Sequence, residues 1–116
     1  GKRYTCFVDE KTTLPMMYMD DAIRATIELM EAPSENLSVR GGYNLACLSF
    51  TAEELFQEIK MIIPEFDCDF EPDHRQRYAD SWPDATDGKQ AEIDWGFKIH
   101  YDLKSMCYTM IQSLRQ

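Results

Sequence analysis

Several features that would settle a function quickly are missing from this chain of 116 residues. It has only five glycines, and none falls in a G-x-G-x-x-G turn between a strand and a helix, so a dinucleotide pyrophosphate has no cradle of the usual kind. The Gly41-Gly42 pair precedes a strand-like stretch and reads as a turn. None of the six tyrosines is followed four positions on by a lysine. The four cysteines (Cys6, Cys47, Cys68, Cys107) are widely separated, with no C-x-x-C pair, so neither a zinc site nor a disulfide framework is expected. They read as reduced core thiols of an intracellular protein. The two histidines, His74 and His100, lie far apart and have no ligand-type neighbours. No apolar run approaches the ~20 residues of a membrane helix. No serine sits in a G-x-S-x-G elbow.

Basic residues are also scarce. Twelve Lys and Arg against twenty-one Asp and Glu give a net charge of −9. Such a field repels polyphosphate, which argues against nucleic acid and anionic membranes as partners. What remains is the composition of a soluble globular domain, 44% hydrophobic and 28% charged, at a length suited to one core. The start, Gly1-Lys2-Arg3-Tyr4, has no signal-peptide core behind it. Either a targeting segment has been removed or the start lies inside a longer protein.

Local chemistry fixes several elements. Residues 4–8 alternate as a short strand, and 14–19 form a second, apolar one. Asp20 or Asp21 is expected to cap a helix whose apolar face is Ile23, Ile27 and Met30 and which Pro33 ends. Residues 43–50 read as a third strand. Thr51-Ala52-Glu53-Glu54 is a capping box opening a helix that buries Leu55, Ile59, Ile62 and Ile63 and stops at Pro64. Residues 65–71 alternate as a half-exposed strand. A short helix through Lys89, Ala91 and Ile93 closes at Gly96, and Asp102 caps a last helix with an apolar stripe from Leu103 to Leu114. Short strands alternating with about four helices predict an α/β class, with α+β character, in one domain over residues 1–116.

One loop, 72–87, is irregular and bounded by prolines. It gathers Arg75, Arg77, Tyr78, Asp80, Trp82 and Asp84, groups able to orient a small zwitterion. From the residues alone, Trp82 packing on the core edge with the arginines in surface salt bridges is the favoured reading. Adjacent Asp20 and Asp21 do not face each other on a helix, so capping accounts for them better than a metal or acid pair.

The Leu14-Pro15-Met16-Met17-Tyr18-Met19 run into Asp20-Asp21-Ala22 and the Asp80-Ser81-Trp82-Pro83 loop resemble the threonine dehydrogenase branch of the extended short-chain dehydrogenases. Asp87-Gly88-Lys89-Gln90-Ala91 followed by Asp94-Trp95-Gly96 resembles a segment of the extended short-chain dehydrogenases more generally. That resemblance covers essentially the whole chain and implies the C-terminal, substrate-binding portion of a Rossmann-type enzyme, without its NAD-binding half. It implies that the complete enzyme oxidises L-threonine to 2-amino-3-ketobutyrate with NAD, using a tyrosine and lysine upstream of the region matched. This chain alone would then hold no catalytic, cofactor-binding or metal-binding residue and would be inactive. Trp82, Arg77, Met17 and Tyr18 would face substrate. The resemblance also implies a mitochondrial setting, as in animal members, and possible homodimer formation. Two other readings stay open: a free-standing, non-catalytic interaction module, and a nucleotide-sugar epimerase of the same architecture. A substrate-side portion should show apolar surface left uncovered.

Overall fold

The computed structural model describes residues 2–116, which fold as a mixed α/β chain. Gly1, the residue on which the question of a natural start falls, lies outside them. The elements run β1 (Tyr4–Cys6), β2 (Thr13–Met16), α1 (Met19–Glu31), a 3-10 turn (Ser34–Asn36), β3 (Leu48–Thr51), α2 (Ala52–Ile62), β4 (Cys68–Phe70), α3 (Gln76–Asp80), α4 (Lys89–Trp95) and α5 (Leu103–Arg115). The strands make two separate pairs. β1 lies parallel to β4, with Tyr4 opposite Cys68, and β2 lies antiparallel to β3, with Leu14 opposite Phe50.

The helix boundaries follow the expected caps in three cases. The Thr51 hydroxyl accepts the Glu54 N–H at 3.1 Å, which is one half of the anticipated reciprocal box. Asp102 and Ser105 complete a full capping box at α5. Gly96 takes the left-handed conformation, φ 73°, directly after α4. Ala32 and Ile63, each preceding a proline, leave the helical region and end α1 and α2.

Three expectations are corrected. Neither Asp20 nor Asp21 caps α1: Tyr18 is the N-cap, with no side-chain bond, and Asp21 is buried. The third strand is four residues rather than eight. Residues 43–47 stay out of a ladder, and here the Leu45 carbonyl accepts the Thr86 hydroxyl while Gly88 presses on Ala46. Among the described residues the α-helices number five, because α3 forms within the loop read as irregular. At five residues it shows no periodicity a sequence could reveal.

The core is thin. Ala25, Ala91 and Phe97 form its buried centre, with Met17, Tyr43, Leu45, Trp95 and Ile99 packed around them. Ala25 of α1 and Ala91 of α4 share this cluster. Elsewhere Phe50, Met106 and Cys107 are the buried apolar side chains, on β3 and α5. Of the four cysteines, all free thiols, only Cys107 is fully buried; the other three are partly exposed.

The molecule is a slab of 52 × 35 × 16 Å. Its radius of gyration, 16.8 Å, exceeds the ~13 Å of a compact chain of this length. Its accessible surface is 8290 Å², where a closed monomer of this mass exposes about 6,600 Å². Apolar side chains contribute to it: Ile23, Ile27 and Met30, the stripe read from the sequence of α1, stand exposed, and so does Met19.

Candidate functional site

The end of β2 delivers Met17 and Tyr18 to the start of α1. Met17 packs against the Ala25, Ala91 and Phe97 core. Tyr18 is stacked at a tilt on Tyr101, ring centroids 4.4 Å apart. Desolvation against that neighbour, with Asp20 and Tyr101 adding negative potential, pushes the Tyr18 phenol up.

One turn into α1, Asp21 is the anchor of this corner. Its two oxygens accept the His100 N–H at 3.0 and 3.1 Å and the Tyr101 N–H at 3.0 Å. Arg24 adds an ion pair at 3.0 Å, bonds the Lys98 carbonyl, pairs with Glu28 at 2.8 Å and covers the Phe97 ring. Burial by itself pushes the Asp21 carboxyl up. The His100 N–H, the Arg24 guanidinium and the Tyr101 N–H outweigh it, and the net shift is downward. The segment 98–101 is thereby strapped across α1, which fixes Tyr101 against Tyr18.

The second corner is built on α3. Gln76 ties it to the turn before β2: its amide carbonyl accepts the Asp9 N–H at 2.7 Å and its NH₂ donates to the Thr12 hydroxyl at 2.9 Å. Beyond α3, the Ser49 hydroxyl of β3 donates to the Asp84 carbonyl. Ser49 lies opposite Pro15 in the β2–β3 ladder. The Trp82 loop is therefore held between α3 and the small sheet whose next residues are Met17 and Tyr18. No hydrogen bond, ion pair or ring contact joins Trp82, Arg77, Met17 and Tyr18 to one another among the described residues.

Within this loop the arginines divide. Arg75 forks onto Asp73 at 2.6 and 3.0 Å and lies 3.5 Å over the Phe7 ring, and these bonds pull the Asp73 carboxyl down to about 2. The salt-bridge reading holds for Arg75. Arg77 makes no ion pair among the described residues. Trp82 does not pack on the core edge as the residues alone suggested. It is 61% exposed, beside an equally open Tyr78. The Ser49 hydroxyl ties the loop to β3 just beyond Trp82, and among the described residues nothing covers most of the ring.

A third cluster centres on Asp94 at the end of α4. It accepts the Tyr43 hydroxyl at 2.6 Å, the Ser38 N–H at 3.0 Å and hydroxyl at 2.7 Å, and the Gln90 amide at 2.7 Å. These bonds hold its carboxyl far below the usual carboxylate range. The Tyr43 hydroxyl in turn accepts the Val39 N–H at 3.1 Å. This network pins the 38–43 loop to α4 and was not legible in the sequence, since its partners lie about fifty residues apart. The adjacent Trp95 indole N–H is buried with no partner among the described residues.

The junctions leading from β2, β3 and β4 into helices contain no glycine, and Gly96, the one glycine at positive φ among the described residues, ends a helix rather than opening one. Among the described residues no three His, Cys, Asp or Glu side chains converge on a metal position, and no helix is long and apolar enough to cross a membrane. Three shallow depressions, on α1, on the α2–α5 surface and beside Lys11 and Thr51, are lined by none of the four candidate residues.

No family model matches the chain. It is 47% identical over 110 residues to the mitochondrial L-threonine 3-dehydrogenase of Bos taurus, covering 94% of this chain and 29% of that protein. It is 45% identical over 115 residues to an uncharacterised epimerase/dehydratase of Staphylococcus haemolyticus, covering 98% and 36%. Among solved structures, the apo form of a GalE-like L-threonine dehydrogenase from Cupriavidus necator superposes with a TM-score of 0.95 at 52% identity, covering 98% of this chain and 41% of that one. The chain spans about a third of the length of the curated relatives it matches. The likeness to threonine dehydrogenases read from the sequence therefore holds along nearly all of it, and the fold is shared with GalE-like dehydrogenases over this region.

Proposed function

We propose that this chain is the substrate-side portion of an NAD-dependent L-threonine 3-dehydrogenase, a single domain that closes over the substrate. In this reading the dinucleotide and the groups that handle the reacting proton sit on polypeptide outside these 116 residues. The observation that carries it is the match to the Cupriavidus necator dehydrogenase, whole on this side and partial on the other. The uncovered apolar surface supports it: a self-sufficient module of this length would bury Ile23, Ile27 and Met30 rather than display them. The bovine relative supports a mitochondrial setting; the bacterial ones support none. A homodimer of the complete protein is part of the same reading.

The complete protein would oxidise the 3-hydroxyl of L-threonine to a ketone, giving 2-amino-3-ketobutyrate, with NAD as the oxidant. This chain would act by binding and exclusion. Arg77, a cation without an ion-pair partner among the described residues, suits the substrate carboxylate, which a guanidinium can grip with two parallel bonds. Trp82 would pack on the threonine methyl or donate its indole N–H to the carboxylate, and its exposed ring leaves both open. Met17 and Tyr18 would complete the wall from β2.

The test is NADH formation from L-threonine by this chain alone and by the chain joined to an upstream dinucleotide-binding half. Turnover confined to the joined protein supports the reading. A joined protein that ignores threonine but interconverts a nucleotide sugar would favour the epimerase/dehydratase class, to which the Staphylococcus haemolyticus relative points. Silence toward both would leave the non-catalytic interaction module in front. The alanine variant of Trp82, in the active protein, is expected to lose most turnover; unchanged kcat/KM would remove Trp82 from the site.

A further inference from the structure

We infer that Tyr101 is a positioning residue for the substrate wall, holding the Tyr18 ring in place, an inference that rests on the reading just given. The two rings meet at a centroid distance of 4.4 Å and a tilt of 49°, and both are half-buried. A tilted pair at this spacing is an arrangement that ring quadrupoles favour.

The backbones show which ring supports the other. Tyr18 follows the β2–β3 ladder, which ends with Met16 opposite Leu48, and its carbonyl accepts the Ala22 N–H at 3.2 Å. Its backbone is thereby set. Its side chain makes no capping bond to α1 and is left to its neighbours. Tyr101 is anchored on both sides. Its N–H and that of His100 donate to the buried Asp21 at 3.0 Å, and the next residue, Asp102, is locked into a capping box with Ser105 at 2.8 and 2.9 Å. The Tyr101 ring thus stands on a segment fixed before and after it, and it is this ring that restricts Tyr18.

The pairing leaves Tyr18 equipped to meet a ligand. Its phenol is pushed up by burial first, then by Asp20 and Tyr101, so it stays a neutral donor at neutral pH. A donor held in one place suits a small substrate whose carboxylate and hydroxyl oxygens both accept, because little ordering is left to be done on binding.

The test uses the chain joined to its dinucleotide-binding half. Tyr101→Ala is expected to raise the KM for L-threonine about fivefold, the scale of one lost aromatic pair, with kcat and the KM for NAD unchanged. Tyr101→Phe keeps the ring and should keep the parent's KM. A residue needed only for folding would instead lower the active fraction, and so the apparent kcat, at the parent's KM. In a Tyr18→Ala background, Tyr101→Ala should cost nothing further, since its effect passes through Tyr18. Multiplying losses, or a Tyr101→Ala enzyme with the parent's KM, would overturn the inference. A second readout needs no turnover. The Tyr18 phenol, followed by NMR of ring-labelled tyrosine and assigned with Tyr18→Phe, should titrate lower in Tyr101→Ala than in Tyr101→Phe. If the joined protein ignores threonine, the proposed activity falls and this titration decides alone: a lower midpoint upholds Tyr101 as the support of Tyr18, and an equal one overturns it. Should Tyr101→Ala fail to fold, Tyr101→Leu takes its place in every arm.

Discussion

Both oxygens of the buried Asp21 carboxylate accept the backbone N–H of His100, seventy-nine residues away, at 3.0 and 3.1 Å. This one side chain joins the first helix to the strap leading into the last. It does so with charge-assisted bonds that an apolar residue of the same size could not make.

Replacing Asp21 by alanine leaves the His100 and Tyr101 amides and the Arg24 guanidinium without their acceptor in a buried corner. The expected cost is on the order of 3 kcal/mol, summed over bonds to a charged group. Asp21→Asn, which keeps an acceptor oxygen but loses the charge, should cost about half as much. Denaturant midpoints at constant m-value measure both, and an alanine variant as stable as the parent would show that the strap is held by packing alone.

The same carboxylate predicts an acid limit. Its folded-state affinity for protons is below that of the unfolded chain, whose ordinary value is 3.8. Its contribution is therefore complete above that value and is lost as pH falls through the lower, folded one. Thermal midpoints measured from pH 6 downward should drop below about pH 4, and Asp21→Asn should flatten that drop. A parallel decline in parent and variant would place the acid sensitivity on other carboxylates.

Three glycines should respond differently to alanine. A Cβ on Gly88 would lie 1.9 Å from the Ala46 nitrogen and 2.6 Å from the Leu45 carbonyl carbon, and both are backbone atoms that cannot swing aside. Gly88→Ala should cost about 3 kcal/mol through overpacking. Gly96 has open space around it but sits at φ 73°, so Gly96→Ala should cost about 1 kcal/mol from strain alone. Gly41→Ala meets neither obstacle and should be neutral. Any other ranking of the three unfolding free energies contradicts the geometry.

Tyr43→Phe removes the hydroxyl that bridges Asp94 and the Val39 amide. The expected result is faster hydrogen exchange at Val39 and Ser38 and easier proteolysis within 38–43, with α4 unaffected. Equal exchange in parent and variant would mean that the loop is held without the Tyr43 bridge.

Much of the local structure was legible from residues close in sequence. Thr51, Asp102 and Gly96 act within one helical turn of themselves, and Pro33 and Pro64 act on the residue before them. Their effects need no knowledge of the rest of the chain. The capping role expected of Asp20 or Asp21 went wrong for the complementary reason. A carboxylate at a helix start has two available sets of N–H donors, its own first turn and a distant strap, and only the folded chain decides between them. The candidate loop shows the same division. Its composition was readable, but α3 within it, the Gln76 and Ser49 tethers and the outward turn of Trp82 depend on contacts thirty-five to sixty-seven residues away.

What the sequence determined by itself was therefore the caps, the stops and the mixed α/β class, together with a likeness spread along nearly all of its length. Tertiary structure alone decided which side of each helix faces inward. On α1 the aspartate and the alanine went in and the isoleucines stayed out. The small alanine fits the tight cluster with Ala91 and Phe97, and the buried carboxylate satisfies the backbone donors of His100 and Tyr101, whereas apolar side chains gain nothing until a surface arrives to cover them.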